Sequence, residues 1–176
     1  MKTFTPSYEQ ITIMQSELTL RSFSKEDAET VATLVGDRDV SRWTSSIPYP
    51  YTLQDAHHWI ERLAADTERQ SFAVEYRGEL VSCVAFWPHD GDSVEVGYWV
   101  GKPYWRRGIA SRALHTLLAS SAFPADKTVV AKVMSDNRGS QKVLLNNGFS
   151  YVSDCSISKN GKEIEAKFFV KERLGS

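Results

Sequence analysis

Residues 94–122 read VEVGYWV, GKPYWRRGIASR and ALHTLLASSA in direct succession. The first block has the β-branched and aromatic composition of a strand, the second is a basic loop, and the third repeats apolar residues at helical spacing. The helix is predicted to begin at Gly108, which places its unpaired backbone N–H groups and the positive end of its dipole at the loop. A junction of this kind is suited to binding a phosphate group.

Two predicted helices precede the junction, and each begins with a capping pattern. Ser24–Asp27 and Thr52–Asp55 both place an acidic residue three positions after a hydroxyl residue. The first helix is predicted to end near Gly36. The stretch RWTSSIPYPY at 42–51 contains two prolines and is predicted to be an irregular loop.

A strand, a short helix and a hairpin are predicted after the junction. Thr128–Met134 is rich in β-branched residues, Asp136 is predicted to cap the helix, and Gly148 is predicted to end it. Asn160-Gly161 then forms a favoured two-residue hairpin turn. The predicted order β-α-α-β-β-β-α-β-α-β-β describes a single α/β (α+β) domain with a mostly antiparallel sheet.

Length, charge and composition limit the classes of function. The 176 residues fit one domain, which we expect at 16–176 after an N-terminal extension at 1–15. The formal net charge of −1 gives no support for nucleic acid as the main partner. Basic residues nevertheless cluster in one window: Lys102, Arg106, Arg107 and Arg112. A local basic site on a near-neutral protein favours a small anionic ligand.

The sequence favours a cytoplasmic protein without a membrane or metal partner. No apolar run approaches the roughly 20 residues that span a bilayer, and the N-terminus lacks the apolar core of a signal peptide. Cys83 and Cys155 lie in strand-like runs and are predicted to be buried, reduced thiols. His57 and His58 are adjacent, so on a helix they diverge by about 100° and chelate a metal poorly.

Three groups of residues are candidates for chemistry, each with a structural alternative. The loop N–H groups face a phosphate or simply form a tight turn beside solvated arginines; the loop lacks the motifs of P-loop and dinucleotide sites. Glu95, which shares a strand face with Gly97 and Trp99, is a base or an edge-strand charge facing water. Asn137 and Ser140 share a helix face, either toward a ligand or as capping groups.

Together these segments resemble the GNAT superfamily of N-acetyltransferases. The resemblance rests on EVGYWV, YWRRGIASRAL and DNRGSQKVLLNNGF, and it covers about residues 16–170. The start LTLRSFSKEDA and the segment YTLQDA are similar to the RimJ/RimL-type branch, which modifies protein N-termini and includes many small-amine relatives.

The resemblance implies a fold and a cofactor site. It implies helices on both faces of a mixed sheet, and a splayed central strand pair that holds acetyl-CoA. Backbone groups of Trp99 and Val100 and the side chain of Asn137 would contact the pantetheine arm, with Ser140 near the sulfur. The pyrophosphate would lie on the N–H groups of the loop and helix start: Arg106, Arg107, Gly108, Ile109, Ala110 and Ser111.

The sequence departs from the family pattern at two positions. Trp105 replaces the usual Gln or Arg of the loop motif, although Trp is common there in the RimJ/RimL branch. Leu144 replaces the tyrosine that many members use as a general acid, and it cannot donate a proton. Ser140 is then the nearest substitute, with water as the alternative. Glu95, directly or through water, is the expected base.

The resemblance implies acetyl transfer to a primary amine and leaves the acceptor open. A protein N-terminal α-amine is one candidate, and a small amine such as a polyamine, an amino acid or an antibiotic is another. A non-catalytic acetyl-CoA-binding module is the third, because of Leu144. Trp43, Tyr49 and Tyr51 either line the acceptor site or only close one end of the core. A homodimer is among the expected assemblies.

Overall fold

A computed structural model describes residues 17–172, which form seven strands and five α-helices. The strands are β1 (Leu18–Arg21), β2 (Gln70–Tyr76), β3 (Glu79–Pro88), β4 (Ser93–Val100), β5 (Thr128–Met134), β6 (Ser150–Lys159) and β7 (Lys162–Lys171). The helices are α1 (Ala28–Val35), α2 (Arg38–Ser41), α3 (Leu53–Ala65), α4 (Ile109–Leu118) and α5 (Arg138–Asn146), with 3-10 turns at Lys25–Asp27 and Lys102–Tyr104. The expected extension at 1–15 lies outside the described residues.

The strands form one sheet in the order β1-β2-β3-β4-β5-β7-β6. Every neighbouring pair is antiparallel except β4 and β5, which confirms the predicted mixed, mostly antiparallel sheet. The parallel register begins at Ser93 and ends at Glu95, opposite Val130. Beyond that point β4 continues to Val100 without pairing with β5. The expected splay of the central strand pair is therefore confirmed.

Helices cover both faces of the sheet, as expected. Ala73 and Val74 are neighbours on β2, point to opposite faces, and are both 0% exposed. Val74 belongs to a core cluster that includes Leu114 of α4, whereas Ala73 packs in a cluster with Val31 of α1 and Ile60 of α3. The β4–β5 splay therefore lies between two separately packed layers of helix.

Both predicted helix starts before the junction are confirmed. The N–H of Asp55 donates to Thr52 Oγ1 at 3.1 Å, and the N–H of Thr52 donates to the Asp55 carboxylate at 2.7 Å. The Asp27 carboxylate similarly accepts the N–H of Ser24 at 2.8 Å. These reciprocal bonds satisfy N–H groups that the helix itself leaves unpaired.

The prediction that Asp136 caps the fifth helix is wrong. Asn137 is the cap, and its Oδ1 accepts the N–H of Ser140 at 3.1 Å. A capping side chain must reach the N–H two or three positions along, and the helix starts one residue later than Asp136 would require. The predicted end is confirmed at Gly148, which has a left-handed φ of 80°.

Three local features complete the comparison with the sequence. The hairpin turn at Asn160-Gly161 has positive φ at both residues, as predicted, and so does the turn at Arg77-Gly78. The four-residue helix α2, which the sequence pattern missed, is too short to show helical periodicity. Cys83 is buried as predicted, but that prediction is wrong for Cys155, which is half-buried because β6 is the outermost strand.

Candidate active site

A cleft of about 1500 Å³ opens where β4 and β5 separate. One half is walled by β4, the loop before α4, the first turn of α4, the end of β5 and the start of α5. The other half is walled by α3 and by residues of the 42–51 loop. Small-molecule sites are typically about 300–1,000 Å³, so this cleft has room for two ligands. We call the two parts the cofactor half and the acceptor half.

The unpaired edge of β4 presents backbone groups to the cofactor half. The N–H of Gly101 donates to the C=O of Val81 on β3. Successive residues of a strand direct their backbone groups to opposite neighbours, so Trp99 also faces β3 and Val100 faces the gap. The Trp99 C=O accepts the Ser82 hydroxyl at 2.6 Å. The expected contact from Val100 is thus positioned at the cleft, and that from Trp99 stays a prediction.

The loop before α4 exposes a run of backbone N–H groups. Gly108 and Arg106 have left-handed φ values of 71° and 61°, a geometry that turns successive N–H groups toward one concave side. The N–H groups of Trp105 and Arg112 both donate to backbone carbonyls. Among the described residues, no hydrogen bond uses the N–H groups of residues 106–111. A Cβ added to Gly108 would meet nothing within 4 Å. The loop has the donors and the room that a pyrophosphate needs.

The basic residues of this stretch separate in the folded protein. Lys102 donates to an aspartate of α2, and the guanidinium groups of Arg107 and Arg112 lie over tyrosine rings. Arg106 is the member of the sequence cluster that lines the cleft. Two basic side chains of α5 also line it: Arg138 and Lys142. Their i, i+4 spacing at a helix start was the sequence signal for them.

Ser140 stands at the start of α5, next to the splay. Its Oγ lies 2.7 Å from the Tyr98 hydroxyl, which also donates to the Ser140 C=O at 3.2 Å. Asn137 lines the cleft and caps the helix, so the capping interpretation is confirmed for its Oδ1. Leu144 is 0% exposed within the core. The position that carries a tyrosine in many relatives is therefore purely structural in this chain.

Tyr98 is a member of the site that the sequence motifs did not single out. Burial raises the pKa of its phenol well above the ordinary value of about 10, and the Ser140 hydrogen bond opposes this only in part. The phenol consequently keeps its proton throughout the physiological pH range. Only the packing of β4 against α5 shows that this hydroxyl reaches Ser140.

Glu95 lies in the middle of the sheet, at the point where the two halves of the cleft meet. Its side chain is 15% exposed, and the edge-strand interpretation is wrong because β4 has neighbours on both sides. Its Oε2 lies 3.2 Å from His89 Nδ1 and 3.8 Å from Lys132 Nζ. No sequence pattern pointed to His89, whereas Lys132 follows from the strand register, two residues beyond the residue paired with Glu95.

The acceptor half has aromatic walls. Trp43 and Tyr51 line it, as the sequence led us to expect. The expectation is wrong for Tyr49, which is 58% exposed and packs its ring against Arg38 outside the cleft. Trp59 of α3 is a further aromatic wall that sequence reasoning missed. An amine with an apolar body fits such a half better than a strongly hydrated one.

Residues 17–172 contain neither a candidate membrane-spanning helix nor a candidate metal site. No helix in that range combines the length and the apolar character needed to cross a membrane. No three His, Cys, Asp or Glu side chains in that range are grouped so that they could hold a metal ion.

The fold and the cleft define a class of acyltransferase domain that binds its anionic cosubstrate between splayed strands. Residues 17–150 match the family model described as the acetyltransferase (GNAT) domain. The chain belongs to this GNAT family. It is an acetyl-CoA-dependent acyltransferase with a single GNAT-type domain in the described residues.

Individual relatives are distant in sequence and close in fold. The chain is 26% identical over 140 residues to the uncharacterized N-acetyltransferase p20 of Bacillus licheniformis, covering 76% of this chain and 79% of that protein. The microcin C7 self-immunity acetyltransferase MccE, solved with acetyl-CoA and AMP, superposes with a TM-score of 0.78 at 20% identity, covering 89% and 93% of the two chains. Mycobacterium smegmatis RimJ, solved with CoA-disulfide, gives 0.76 at 20% identity, covering 88% and 81%.

Proposed function

We propose that the protein transfers the acetyl group of acetyl-CoA to a primary amine, by direct attack within a ternary complex. The observation that carries this proposal is that one cleft joins three features. These are the free N–H groups before α4, the unpaired edge of β4, and the enclosed carboxylate of Glu95. The first two suit the cosubstrate, and the third suits an amine that must lose a proton.

The cofactor half offers separate hydrogen-bonding groups for the pyrophosphate and for the pantetheine arm of acetyl-CoA. The pyrophosphate is assigned to the loop and the first turn of α4: Arg106, Arg107, Gly108, Ile109, Ala110 and Ser111. Arg107 contributes its backbone N–H, since its guanidinium lies over Tyr104. The pantetheine arm is assigned to the N–H of Val100, whose C=O accepts the Trp105 indole N–H at 2.7 Å, and to the amide nitrogen of Asn137, whose oxygen is occupied by the helix cap. Trp99 directs its backbone toward β3 and is left out of this assignment.

Glu95 is the proposed base. An ammonium group has no lone pair, so the acceptor must lose a proton before its nitrogen bonds to the acetyl carbon. Glu95 takes that proton directly or through water, and His89 Nδ1 at 3.2 Å is placed to pass it outward. A backbone N–H at the gap beside Trp99 polarises the thioester carbonyl, an interaction worth about 2.7–4 kcal/mol.

Ser140 is proposed to stabilise the leaving sulfur. When the carbon–sulfur bond breaks, negative charge develops on the sulfur, and the Ser140 hydroxyl donates a hydrogen bond to it. In this assignment the single phenol proton of Tyr98 is directed to Ser140 Oγ at 2.7 Å and not to the Ser140 C=O, which strengthens the serine as a donor. Tyr98 and Ser140 together thus take the general-acid role that the apolar side chain of Leu144 cannot perform.

The protonation state of the Cys83 thiol favours direct transfer to the amine and disfavours an acetylated-enzyme intermediate. Cys83 lines the cleft, and burial raises the pKa of its thiol to about 12. A thiol with that pKa is almost wholly protonated at neutral pH, and the thiolate is the nucleophilic form. Cys83 is therefore a poor nucleophile, which favours direct attack of the acceptor amine on the thioester.

Two classes of acceptor have support. The resemblance to the RimJ/RimL branch and the likeness to RimJ support a protein N-terminal α-amine. The likeness to MccE, a self-immunity acetyltransferase, supports a small molecule. The charged side chain of Arg69, which lines the acceptor half, favours a small molecule that carries an anionic group.

The proposal is tested by following CoA thiol release with a panel of small amines and N-terminal peptides, and by the variant Glu95→Gln. We expect kcat to fall about 100-fold or more with the KM for acetyl-CoA unchanged, because the base acts after binding. Glu29→Gln, on the exposed surface of α1, is the control. Full activity of Glu95→Gln would show that the base is another group. Thermal stabilisation by acetyl-CoA without turnover of any amine would instead indicate a binding module.

A further inference from the structure

Arg69 has an unusual environment at the floor of the acceptor half. Its guanidinium carbon lies 4.2 Å from the centre of the Trp87 ring, and both residues line the cleft. Arg69 is half-buried, and its Nε is buried without a hydrogen-bond partner. The guanidinium forms no ion pair with a carboxylate among residues 17–172. A buried N–H donor without an acceptor is costly, so an acceptor from a bound molecule would stabilise this group.

The carboxylates that share this half of the cleft are already occupied. Asp66 accepts the N–H groups of Glu68 and Arg69. Asp55 accepts the N–H and the hydroxyl of Thr52. Glu95 is held by His89 and Lys132. Asp66 interacts electrostatically with Arg69, but no carboxylate in the described part is bonded to the guanidinium, so the unpartnered Nε is left for an anion from a bound molecule.

The backbone holds Arg69 close to the reacting end of the cleft. Trp87 is directly opposite Glu95 in the β3–β4 register, on the same face of the sheet. Its ring lies so close to Gly97 that a Cβ there would be 2.8 Å from the indole. The lack of a side chain at Gly97 thus makes room for the indole, and the guanidinium lies over the indole ring. Trp87 therefore contacts Arg69 through its ring and is paired with Glu95 through its backbone register.

We propose that Arg69 binds an anionic group of the acceptor, and that the acceptor is a small amine that carries its own carboxylate, as an amino acid does. The inference rests on the proposed acetyl transfer and names the substrate class of the same site. Arg62 of α3 also lines the cleft, forms no ion pair with the described carboxylates, and adds positive charge to the same half. With the carboxylate on Arg69, the neighbouring amine lies toward Glu95.

The test compares acceptors that differ only in the anion. Leucine, phenylalanine and methionine are each paired with the amine that lacks the carboxylate, and CoA thiol release is measured for all six. We expect kcat/KM to be at least about tenfold higher for the amino acid in at least one pair. A charge-assisted hydrogen bond between the acceptor carboxylate and Arg69 accounts for a difference of this size. Arg69→Gln should remove that preference without changing the KM for acetyl-CoA, and Arg69→Lys should retain part of it.

Arg77→Gln is the matched control, because Arg77 also lies over an aromatic ring, that of Tyr76, but on the outer hairpin turn. It should keep the wild-type preference. Equal turnover of acids and amines by the wild type, or an unchanged preference in Arg69→Gln, would overturn the inference. Acetylation of N-terminal peptides with no activity on free amino acids would also overturn it.

A binding measurement separates this inference from the proposed reaction. Calorimetric titration of the protein with CoA and N-acetylated forms of the same six compounds needs no turnover. Tighter binding of the N-acetyl amino acids, lost in Arg69→Gln, would support the anion site even if every acetylation assay failed. Failure of all assays would overturn the acetyl transfer alone, whereas equal binding of the charged and uncharged compounds would overturn the anion site alone.

Discussion

At the scale of single residues, the site depends on side chains whose partners are distant in the chain. Tyr98 and Ser140 are 42 positions apart and share a 2.7 Å hydrogen bond. Glu95 is enclosed by His89 from the preceding strand end and by Lys132 from the next strand. The chemistry assigned to Glu95 and Ser140 therefore depends on neighbours that set their hydrogen bonding.

Removing the Tyr98 hydroxyl should slow the departure of the sulfur. Because Tyr98→Phe leaves Ser140 Oγ without its donor, we expect kcat to fall about tenfold, equivalent to about 1.4 kcal/mol, with the KM for acetyl-CoA unchanged. The measurement is steady-state kinetics of Tyr98→Phe, Ser140→Ala and the double variant. The two effects should be strongly non-additive, since Tyr98 acts through Ser140.

Tyr151→Phe is the control for that measurement, because Tyr151 also donates its hydroxyl to a side chain, but on exposed β6. It should have wild-type kinetics. Additive losses in the Tyr98 and Ser140 double variant would show that Tyr98 does not act through the serine.

At the scale of elements, the strand–loop–helix junction forms one wall of the cleft. The splay of β4 from β5 exposes a strand edge, and the left-handed turn before α4 exposes N–H groups beside it. Neither element would be stable alone with so many unpaired groups, and the packed helix layers on both faces of the sheet hold them open. An exposed edge of this kind, at a defined gap, indicates a ligand site.

A comparison of Gly108 with Gly161 separates the effect of a substitution on acetyl-CoA binding from its effect on backbone strain. Both have positive φ, 71° and 74°, and a Cβ at either would meet nothing within 4 Å. Substitution by alanine should therefore cost each variant a similar amount of stability, about 1–2 kcal/mol. Gly108→Ala should in addition weaken acetyl-CoA binding, because its methyl group projects into the space assigned to the pyrophosphate.

Equilibrium unfolding and calorimetric titration with acetyl-CoA check this pair. Gly161→Ala, in the β6–β7 turn, should bind acetyl-CoA like the wild type. Equal affinities of the two variants for acetyl-CoA would show that the pyrophosphate does not approach Gly108.

At the scale of the whole molecule, one ion-pair network joins the N-terminal layer to the sheet. Arg21 of β1 donates to both oxygens of Asp27, at 2.8 and 2.9 Å, and its Nε donates to Glu75 of β2 at 2.7 Å. The Arg21 guanidinium and the N–H of Ser24 hold the pKa of the buried Asp27 carboxyl below its usual range. The network fixes the start of the first helix against the edge of the sheet.

Removing the charge of Asp27 should make the free energy of unfolding less dependent on pH in the acidic range. A carboxyl whose pKa is lowered by folding stabilises the protein above its unfolded pKa of about 3.9, and that contribution disappears as the pH falls through the lower folded pKa. Asp27→Asn should cost about 1.5–3 kcal/mol at pH 7, the value of hydrogen bonds to a charged group. The difference from the wild type should shrink below about pH 4.

Urea unfolding at pH 7, 4 and 3 measures the difference. Asp154→Asn is the control, because Asp154 is exposed on β6 and its pairing with Lys167 is a surface ion pair. It should be close to the wild type at each pH. A constant difference between Asp27→Asn and the wild type at all three pH values would exclude the ion pair as the cause.

The sequence by itself determined the local structure and the class of cosubstrate. Capping boxes, apolar periodicity and glycine turns act between neighbouring residues, so the helices, the hairpins and the left-handed turn before α4 were predictable from patterns of a few residues. Even there, the cap of α5 was misplaced by one residue, because Asp136 and Asn137 are both good caps and only the helix start distinguishes them.

Only the tertiary structure decided which side chains meet. It dispersed Lys102, Arg107 and Arg112 from the apparent basic cluster, turned Tyr49 outward, and enclosed Glu95 in the central part of the sheet. It also brought Tyr98 to Ser140 and placed Arg69 on Trp87, contacts that no spacing in the chain indicates. The physical reason is that such contacts depend on strand register and layer packing, which arise from the whole core and not from adjacent residues.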